Sequence, residues 1–254
     1  MIELNNTYCM DNLELMKRIG NDVIDLYYSD ILYATGRKFD DYQDLKFDKK
    51  TVEEFYIPRF KEIHRILKDS GSVWIQCDFH ISHWIRCIMD DVFGYKNCLN
   101  EVIWKYKSGG ASKTKLSCKH DCILVYVKDL KKYNFYPIKE KSYNRQFKPY
   151  RFKGVEEFED EIGWHTLINM QDVWEINMVG RTSSERVDYS TQKPLELMDR
   201  ILKLTTKEND LVMDGFCGSG SFLVKAKELN REYIGCDINS KAIGITNSRL
   251  SEIN

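Results

Sequence analysis

Proline is scarce in this chain, with four in 254 residues, and glycine, at 14, is not abundant. So little of either leaves small room for a flexible linker. There is no run of 18 apolar residues, which excludes a membrane-spanning helix. The first residues, Met1-Ile2-Glu3-Leu4-Asn5, lack the basic and apolar blocks of a signal peptide. These absences predict a cytoplasmic protein that makes no use of a membrane. An excess of one charge is also missing: 38 Lys and Arg stand against 39 Asp and Glu, for a formal net charge of −1. A nucleic-acid ligand would therefore need positive charge concentrated locally, because the whole chain does not supply it.

Paired C-x₂-C spacing is absent as well. The eight cysteines include Cys77, Cys87 and Cys236 within apolar runs, as expected of reduced thiols in a core. Cys118-Lys119-His120-Asp121-Cys122 and Cys77-x-x-His80-x-x-His83 invite a metal reading, but neither has the ligand spacing of a structural zinc site. No metal is expected.

What the chain does have is 43% hydrophobic and 30% charged residues, enough for one large α/β domain or one domain with an inserted lobe. Strands are expected at 23–28, 72–76, 101–106 and 122–127. A helix is expected over 52–67, with Ser70-Gly71 ending it and Pro58 kinking it or marking its start. Ile85, Ile88, Met89 and Val92 carry helical spacing up to Gly94. From Pro194 a helix carries Leu195, Met198, Ile201 and Leu202, followed by a strand at 211–214, a helix near 222–229 and a strand at 233–237. Such alternation argues for a mostly parallel sheet covered on both faces.

Between these blocks, about 107–188, periodicity fades. Residues 131–153 hold eight basic side chains, among them Lys139, Lys141, Arg145, Lys148 and Arg151, interleaved with seven aromatics. Basic groups neutralise phosphates and aromatic faces stack bases. The plainer reading is a twisted hairpin with its aromatics inward. An acidic stretch, Glu156 to Glu161, follows directly.

Asp214-Gly215-Phe216-Cys217-Gly218-Ser219-Gly220-Ser221 lies between an expected strand and an expected helix. Its glycines let the backbone approach a ligand. Asp237 ends the next strand, where a carboxylate can accept both hydroxyls of an adenosine ribose. The third glycine of a dinucleotide fingerprint is replaced by Leu223, which disfavours a pyrophosphate and favours S-adenosylmethionine. Only 17 residues follow Asp237. The rest of the sheet must come from the N-terminal half, which implies a permuted order.

With these pieces in place the chain resembles the β-class DNA amino-methyltransferases, from Asn12 to Arg249. The resemblance is carried by DVWEI (172–176), TQKP (191–194), DGFCGSGS (214–221) and REYIGCDI (231–238), with FG (93–94) and EVIW (101–104) in support. In that family the catalytic motif reads D-P-P-Y; here Asp30-Ile31-Leu32-Tyr33 stands in its place. The family's cofactor loop reads D-P-F-x-G-S-G-T, against Gly215 and Ser221 here.

The resemblance implies a permuted Rossmann-like fold. Residues 1–106 would be its catalytic half, 107–188 a target-recognition region containing a sheet strand near 122–127, and 189–254 its cofactor half. It implies Asp214, Phe216, Cys217, Gly218, Gly220, Ser221, Asp237, Ile238 and Lys193 as cofactor-binding residues, and Asp30, Ile31 and Tyr33 as catalytic ones. DNA is the implied partner, and a homodimer and a restriction endonuclease come with the family as further partners.

An exocyclic base amine is a poor nucleophile because its lone pair is delocalised into the ring. Two acceptors on its N–H bonds help it pyramidalise. Asp30 supplies one, the backbone carbonyl of Ile31 the other, and Tyr33 a face for a flipped base. Aspartate at the first motif position goes in the family with adenine N6, serine with cytosine N4. The expectation is therefore adenine-N6 methylation. A cytosine-N4 enzyme, and a silent nucleic-acid-binding subunit of a methyltransferase complex, stand as the other two readings.

Overall fold

The computed structural model describes residues 2–38, 44–107, 109–110, 112–187 and 189–253. In chain order the elements are β1 (Asn6–Cys9), α1 (Asn12–Met16), β2 (Ile24–Asp30), α2 (Lys49–Ile66), β3 (Leu67–Cys77), α3 (Ser82–Met89), β4 (Cys98–Lys105) and β5 (His120–Val127). They continue with β6 (Lys139–Tyr143), β7 (Phe158–Glu159), β8 (Trp164–Asn169), β9 (Val173–Glu175), α4 (Leu195–Thr205), β10 (Leu211–Asp214), α5 (Ser221–Glu228), β11 (Glu232–Asp237) and α6 (Ser240–Ser251).

Eight strands form one sheet in the order β1-β11-β10-β2-β3-β5-β4-β9. All neighbours are parallel except the antiparallel pairs β3/β5 and β5/β4. The permutation is visible in the pairing: the late strands β10 and β11 insert between β1 and β2. Side chains alternate across the sheet. Tyr27, Val73, Ile75, Leu124 and Tyr126 face one core with α1, α2 and α3, whereas Leu26, Tyr28, Trp74, Ile123 and Val125 face the other with α4 and α5. Each helix buries one apolar stripe: Tyr56, Phe60 and Ile63 on α2, and Leu197, Met198 and Ile201 on α4.

Some local expectations shift. Helix α2 begins well before Pro58, at Lys49, where the Asp48 carboxylate accepts from Thr51 N–H as an N-cap. It ends at Ile66, and the chain turns extended at Leu67 at once. Ser70-Gly71 is therefore not the helix stop. It lies inside β3, whose register against β2 shifts near Ile24 and Leu26. Pro194 sits just before the first turn of α4, as its N-cap. Cys77 and Cys236 are buried, but Cys87 is exposed, because it points away from the stripe formed by Ile85, Ile88 and Met89.

Within 107–188, β5 and β9 belong to the main sheet, while β6, β8 and β7 form a separate antiparallel sheet. Residues 108, 111 and 188 of that stretch lie outside the described residues. Two members of the acidic run that follows the basic segment, Glu157 and Asp160, are partly buried and brace its turns, while Glu156, Glu159 and Glu161 are exposed. Asp160 accepts from Lys141 Nζ, Tyr143 Oη and the backbone N–H groups of Ile162 and Gly163. Glu157 accepts from Asn144 Nδ2 and the N–H groups of Tyr150 and Arg151. With its turns braced this way, the segment 145–153 leaves Phe147, Tyr150 and Phe152 exposed beside Arg145, Lys148, Arg151 and Lys153. An inward-facing aromatic hairpin does not describe it. No helix among the described residues is long and apolar enough to cross a membrane.

Candidate active site

Parallel strands β1, β11, β10 and β2 end on the same edge of the sheet, the edge where ligands bind in open α/β folds. Asp237, Asp214 and Asp30 are the last residues of β11, β10 and β2. A cleft of about 270 Å³ opens there. Its wall includes Asp30, Ile31, Tyr33, Lys193, Asp214, Phe216, Cys217, Gly218, Ser221, Asp237 and Ile238, so eleven of the twelve residues singled out from the sequence meet in one place. Gly220 is behind the wall. Its φ of +78° starts α5, and a β-carbon there would come within 2.5 Å of the Thr246 side chain. No metal cluster of three or more His, Cys, Asp or Glu occurs among the described residues.

The glycine loop is held mainly through its backbone. Asp237 accepts from Gly218 N–H at 3.0 Å and from Asn239 N–H at 2.9 Å. From α6, Thr246 Oγ1 donates to the Gly218 carbonyl at 3.0 Å and Arg249 Nη1 to that of Ser219 at 2.6 Å. Asp214 Oδ1 accepts from Phe216 N–H and from Ser29 Oγ. Burial pushes the Asp214 carboxyl up to about 8, against the pull of those two hydrogen bonds. Burial also raises Asp237, opposed by its backbone donors, and raises the Cys217 thiol well above its usual range, which makes it an unreactive wall residue.

Gly215, where the resembled family has proline, has a local cause. A β-carbon at this position would sit 2.0 Å from Tyr27 Oη. The Gly215 carbonyl also accepts from Asn12 Nδ2 at 3.0 Å. A buried tyrosine hydroxyl thus occupies the space that a side chain would need.

The Asp30 loop is held by side chains. The Asp30 carboxylate is ion-paired with Lys193 Nζ through Oδ2 and accepts from Tyr33 Oη at 2.6 Å through Oδ1. Burial raises its pKa, and the lysine and the phenol oppose that shift. The structure therefore places Lys193 against Asp30 rather than against the glycine loop. Burial, then the carboxylates of Asp30 and Asp121, push the Tyr33 phenol well up. Ile31 N–H donates to the Gln76 carbonyl at 3.1 Å, a bond that proline could not make. Tyr56 Oη donates to the Leu32 carbonyl at 2.9 Å. Ala34 has a positive φ of 51° and is pinned by Asp44, which accepts from Ala34 N–H and from Thr35 N–H and Oγ1.

Sequence reasoning passed over Met10, Asp11 and Asn12, which reach the cleft because short β1 ends beside Asp237. It also passed over Phe55 and Tyr189 in the wall. Four-residue β1 is too short to show a period, and the positions that follow it carry no glycine motif. The DVWEI segment turns out to be structural: β9 pairs with β4, Trp174 is buried, and Ile176 O accepts from Trp104 Nε1.

Comparison with known proteins agrees with this geometry. Over its whole length save the termini, residues 24–248, the chain matches the DNA methylase family of N6 and N4 methyltransferases. It is 30% identical over 249 residues to the type II methyltransferase M.HpaI of Haemophilus parainfluenzae, covering 97% of this chain and 74% of that protein. Among solved structures, the PvuII DNA methyltransferase (cytosine-N4-specific) superposes with a TM-score of 0.69 at 14% identity, over 98% of this chain and 87% of that one. The complex of M1.HpyAVI with S-adenosylmethionine superposes with a TM-score of 0.63 at 17% identity, over 96% and 98%. With its permuted sheet and its acid-rimmed cleft, the chain belongs to the DNA methylase family.

Proposed function

We propose that the protein is a site-specific DNA methyltransferase that uses S-adenosyl-L-methionine to methylate adenine N6 on a base turned out of the duplex. The observation that carries this reading is the meeting of Asp30 and Tyr33 with the glycine loop and Asp237 in one cleft. The wall fits the cofactor. Each Asp237 oxygen accepts one backbone N–H and keeps capacity for a ribose hydroxyl. At Gly218 a β-carbon would already come 3.2 Å from the Tyr189 ring, so the missing side chain keeps the entrance open. Asp30 and Asp214 bring carboxyls to the wall of the cleft, groups that would favour a cationic cofactor.

When bound, the cofactor supplies an electrophilic methyl group on a cationic sulfur. The chain's own groups act on the target amine. The oxygens of Asp30 have lone pairs beyond those engaged by Lys193 and Tyr33, and take one amine N–H. The Ile31 carbonyl takes the other, drawing the nitrogen toward a pyramid. Tyr33 offers its ring to the extruded base, a stacking interaction worth about 1–3 kcal/mol. Aspartate rather than serine at position 30 supports adenine as the target.

We further propose that 107–188 is the target-recognition region, set between a catalytic half at 1–106 and a cofactor half at 189–254, with strands β5 and β9 lent to the main sheet. The braced, exposed aromatic and basic segment 145–153 supports it. The test is transfer of labelled methyl groups to DNA by purified protein, followed by mass spectrometry of the nucleosides. N6-methyladenine is expected. N4-methylcytosine would favour the other amino target, and cofactor binding without any transfer would favour a silent subunit.

A further inference from the structure

Asp121, on β5, is a buried acid that the chemistry above does not use. Its neighbours come from the loop after β2, from β3 and from the residue that follows β4. Oδ2 lies 3.0 Å from Tyr33 Oη and 2.9 Å from Gln76 Nε2, and Oδ1 lies 3.0 Å from Tyr106 Oη. Gln76 is held in turn, because its Oε1 accepts from Tyr28 Oη at 2.8 Å. Among the described residues Asp121 has no ion-pair partner. A buried carboxyl held only by neutral groups costs stability compared with an apolar residue of similar size. The fold therefore gains little from this arrangement unless it serves the site.

The hydroxyl of Tyr33 is the point where this cluster meets the catalytic aspartate. It has one proton and two carboxyl neighbours, Asp30 Oδ1 at 2.6 Å and Asp121 Oδ2 at 3.0 Å. Tyr33 is outside the strand, in a loop followed directly by Ala34 at positive φ. A ring on such a loop swings about its side-chain torsions unless its far end is fixed. Hydrogen bonds at the hydroxyl, the atom furthest from the backbone, restrain that swing most.

We propose that Asp121 is a positioning residue for methyl transfer. Its carboxyl and that of Asp30 share the one proton of the Tyr33 hydroxyl, and this three-centre contact fixes the plane of the ring that receives the target base together with the Asp30 carboxyl. This rests on the functional reading above. It assigns a task to the hydroxyl of Tyr33 as well as to its ring, and it makes the hydrogen bond rather than the charge at 121 decisive. An asparagine at 121 can keep that bond: its oxygen takes the place of Oδ2 against Tyr33 Oη and Gln76 Nε2, and its amide donates to Tyr106 Oη.

The experiment measures kcat, KM for DNA and cofactor affinity in wild type, Asp121→Ala, Asp121→Asn, Tyr33→Phe and the double variant Tyr33→Phe/Asp121→Ala. Asp121→Ala should lower kcat by roughly 10- to 100-fold, the scale of a misplaced reacting group, with cofactor affinity unchanged. Asp121→Asn should recover most of the rate. Once Tyr33→Phe has removed the shared hydroxyl, adding Asp121→Ala should cost little more, because the two act through one hydrogen bond. Equal losses from Asp121→Ala in both backgrounds, or none in either, would overturn the assignment. So would a folded Asp121→Asn slower than wild type by about tenfold or more, a comparison with wild type that stands even if the alanine variant does not fold. A wild type that methylates neither base would instead overturn the functional reading itself.

Discussion

The two loops that build the cleft leave adjacent strands of the same sheet, yet they are held by different means. The glycine loop after β10 is fixed through its peptide groups, by Asp237, Thr246 and Arg249. The loop after β2 is fixed through side chains, those of Asp30 and Tyr33 with their partners Lys193 and Asp121. Both have lost proline of the family pattern, one at Gly215 and two at Ile31 and Leu32, and both compensate locally. Gly215 yields its side-chain space to the Tyr27 hydroxyl, and Ile31 uses its N–H to lengthen the ladder with β3. Rigidity that the family pattern takes from a ring is supplied here by hydrogen bonds. A loop that binds through backbone should tolerate loss of single side chains better than a loop whose side chains react.

The sharpest test of that difference is Asp30→Ala, which removes the side chain proposed to engage the target amine. Transfer should fall by a factor on the order of 10²–10³, as when a donor or acceptor to the reacting group is removed, with cofactor affinity largely intact. Single-turnover methylation beside calorimetry reads both, and turnover at a tenth of wild type or above would remove Asp30 from the catalytic role. Asp237→Ala is the counterpart in the other loop. It should weaken cofactor binding by about 1.5–3 kcal/mol for each charge-assisted bond removed. Because the same carboxylate caps Gly218 and Asn239, melting temperature should also drop. Unchanged affinity would mean the ribose is held elsewhere.

Next in size comes the glycine that replaces proline. Gly215→Ala should destabilise the protein by about 1–3 kcal/mol through overpacking. Tyr27→Phe in the same chain should recover part of it, because the clash is with the hydroxyl. Equal melting curves for the single and double variants would refute the local explanation.

Burial raises carboxyls in both loops, and the larger shift, at Asp214, carries a pH prediction. Burial pushes the Asp214 carboxyl up to about 8, which favours its protonated form in the free protein near neutral pH. A cationic ligand favours the ionised form, so binding should release protons and tighten as pH rises through that value. Calorimetry in buffers of different ionisation enthalpy measures the release. Proton uptake, or affinity that falls with pH, would contradict the expectation.

Much of this site was legible in the chain because its motifs follow strand ends. Glycine loops and terminal aspartates mark where β10, β11 and β2 stop, and the short tail after Asp237 implied the permutation that the β11/β1 and β10/β2 pairings display. What was not legible depends on pairing across distance. Nothing local in His120-Asp121-Cys122 signals that Asp121 meets Tyr33, 88 residues earlier. Lys193 sat in a motif, but its reach to Asp30 needed the fold. The basic segment was visible by composition, while the inward turn of Glu157 and Asp160 was not, since an acidic run reads as a solvated face until its partners are known. Lys141 is one such partner. The smallest predicted effect therefore uses Arg145, Lys148 and Arg151. Replacing all three should lower the salt dependence of DNA binding by roughly 0.9 for each phosphate no longer neutralised, and an unchanged slope would leave the segment without a part in DNA binding.

The most direct test of the whole reading is long-read sequencing of DNA from cells that express the protein, with Asp30→Ala expressed in parallel. It reports the modified base, its position and its sequence context together. The account predicts N6-methyladenine at one recurring sequence, present with wild type and absent with Asp30→Ala. Modified cytosine in place of adenine, no modification at all, or the same adenine marks with the Asp30 variant would contradict it.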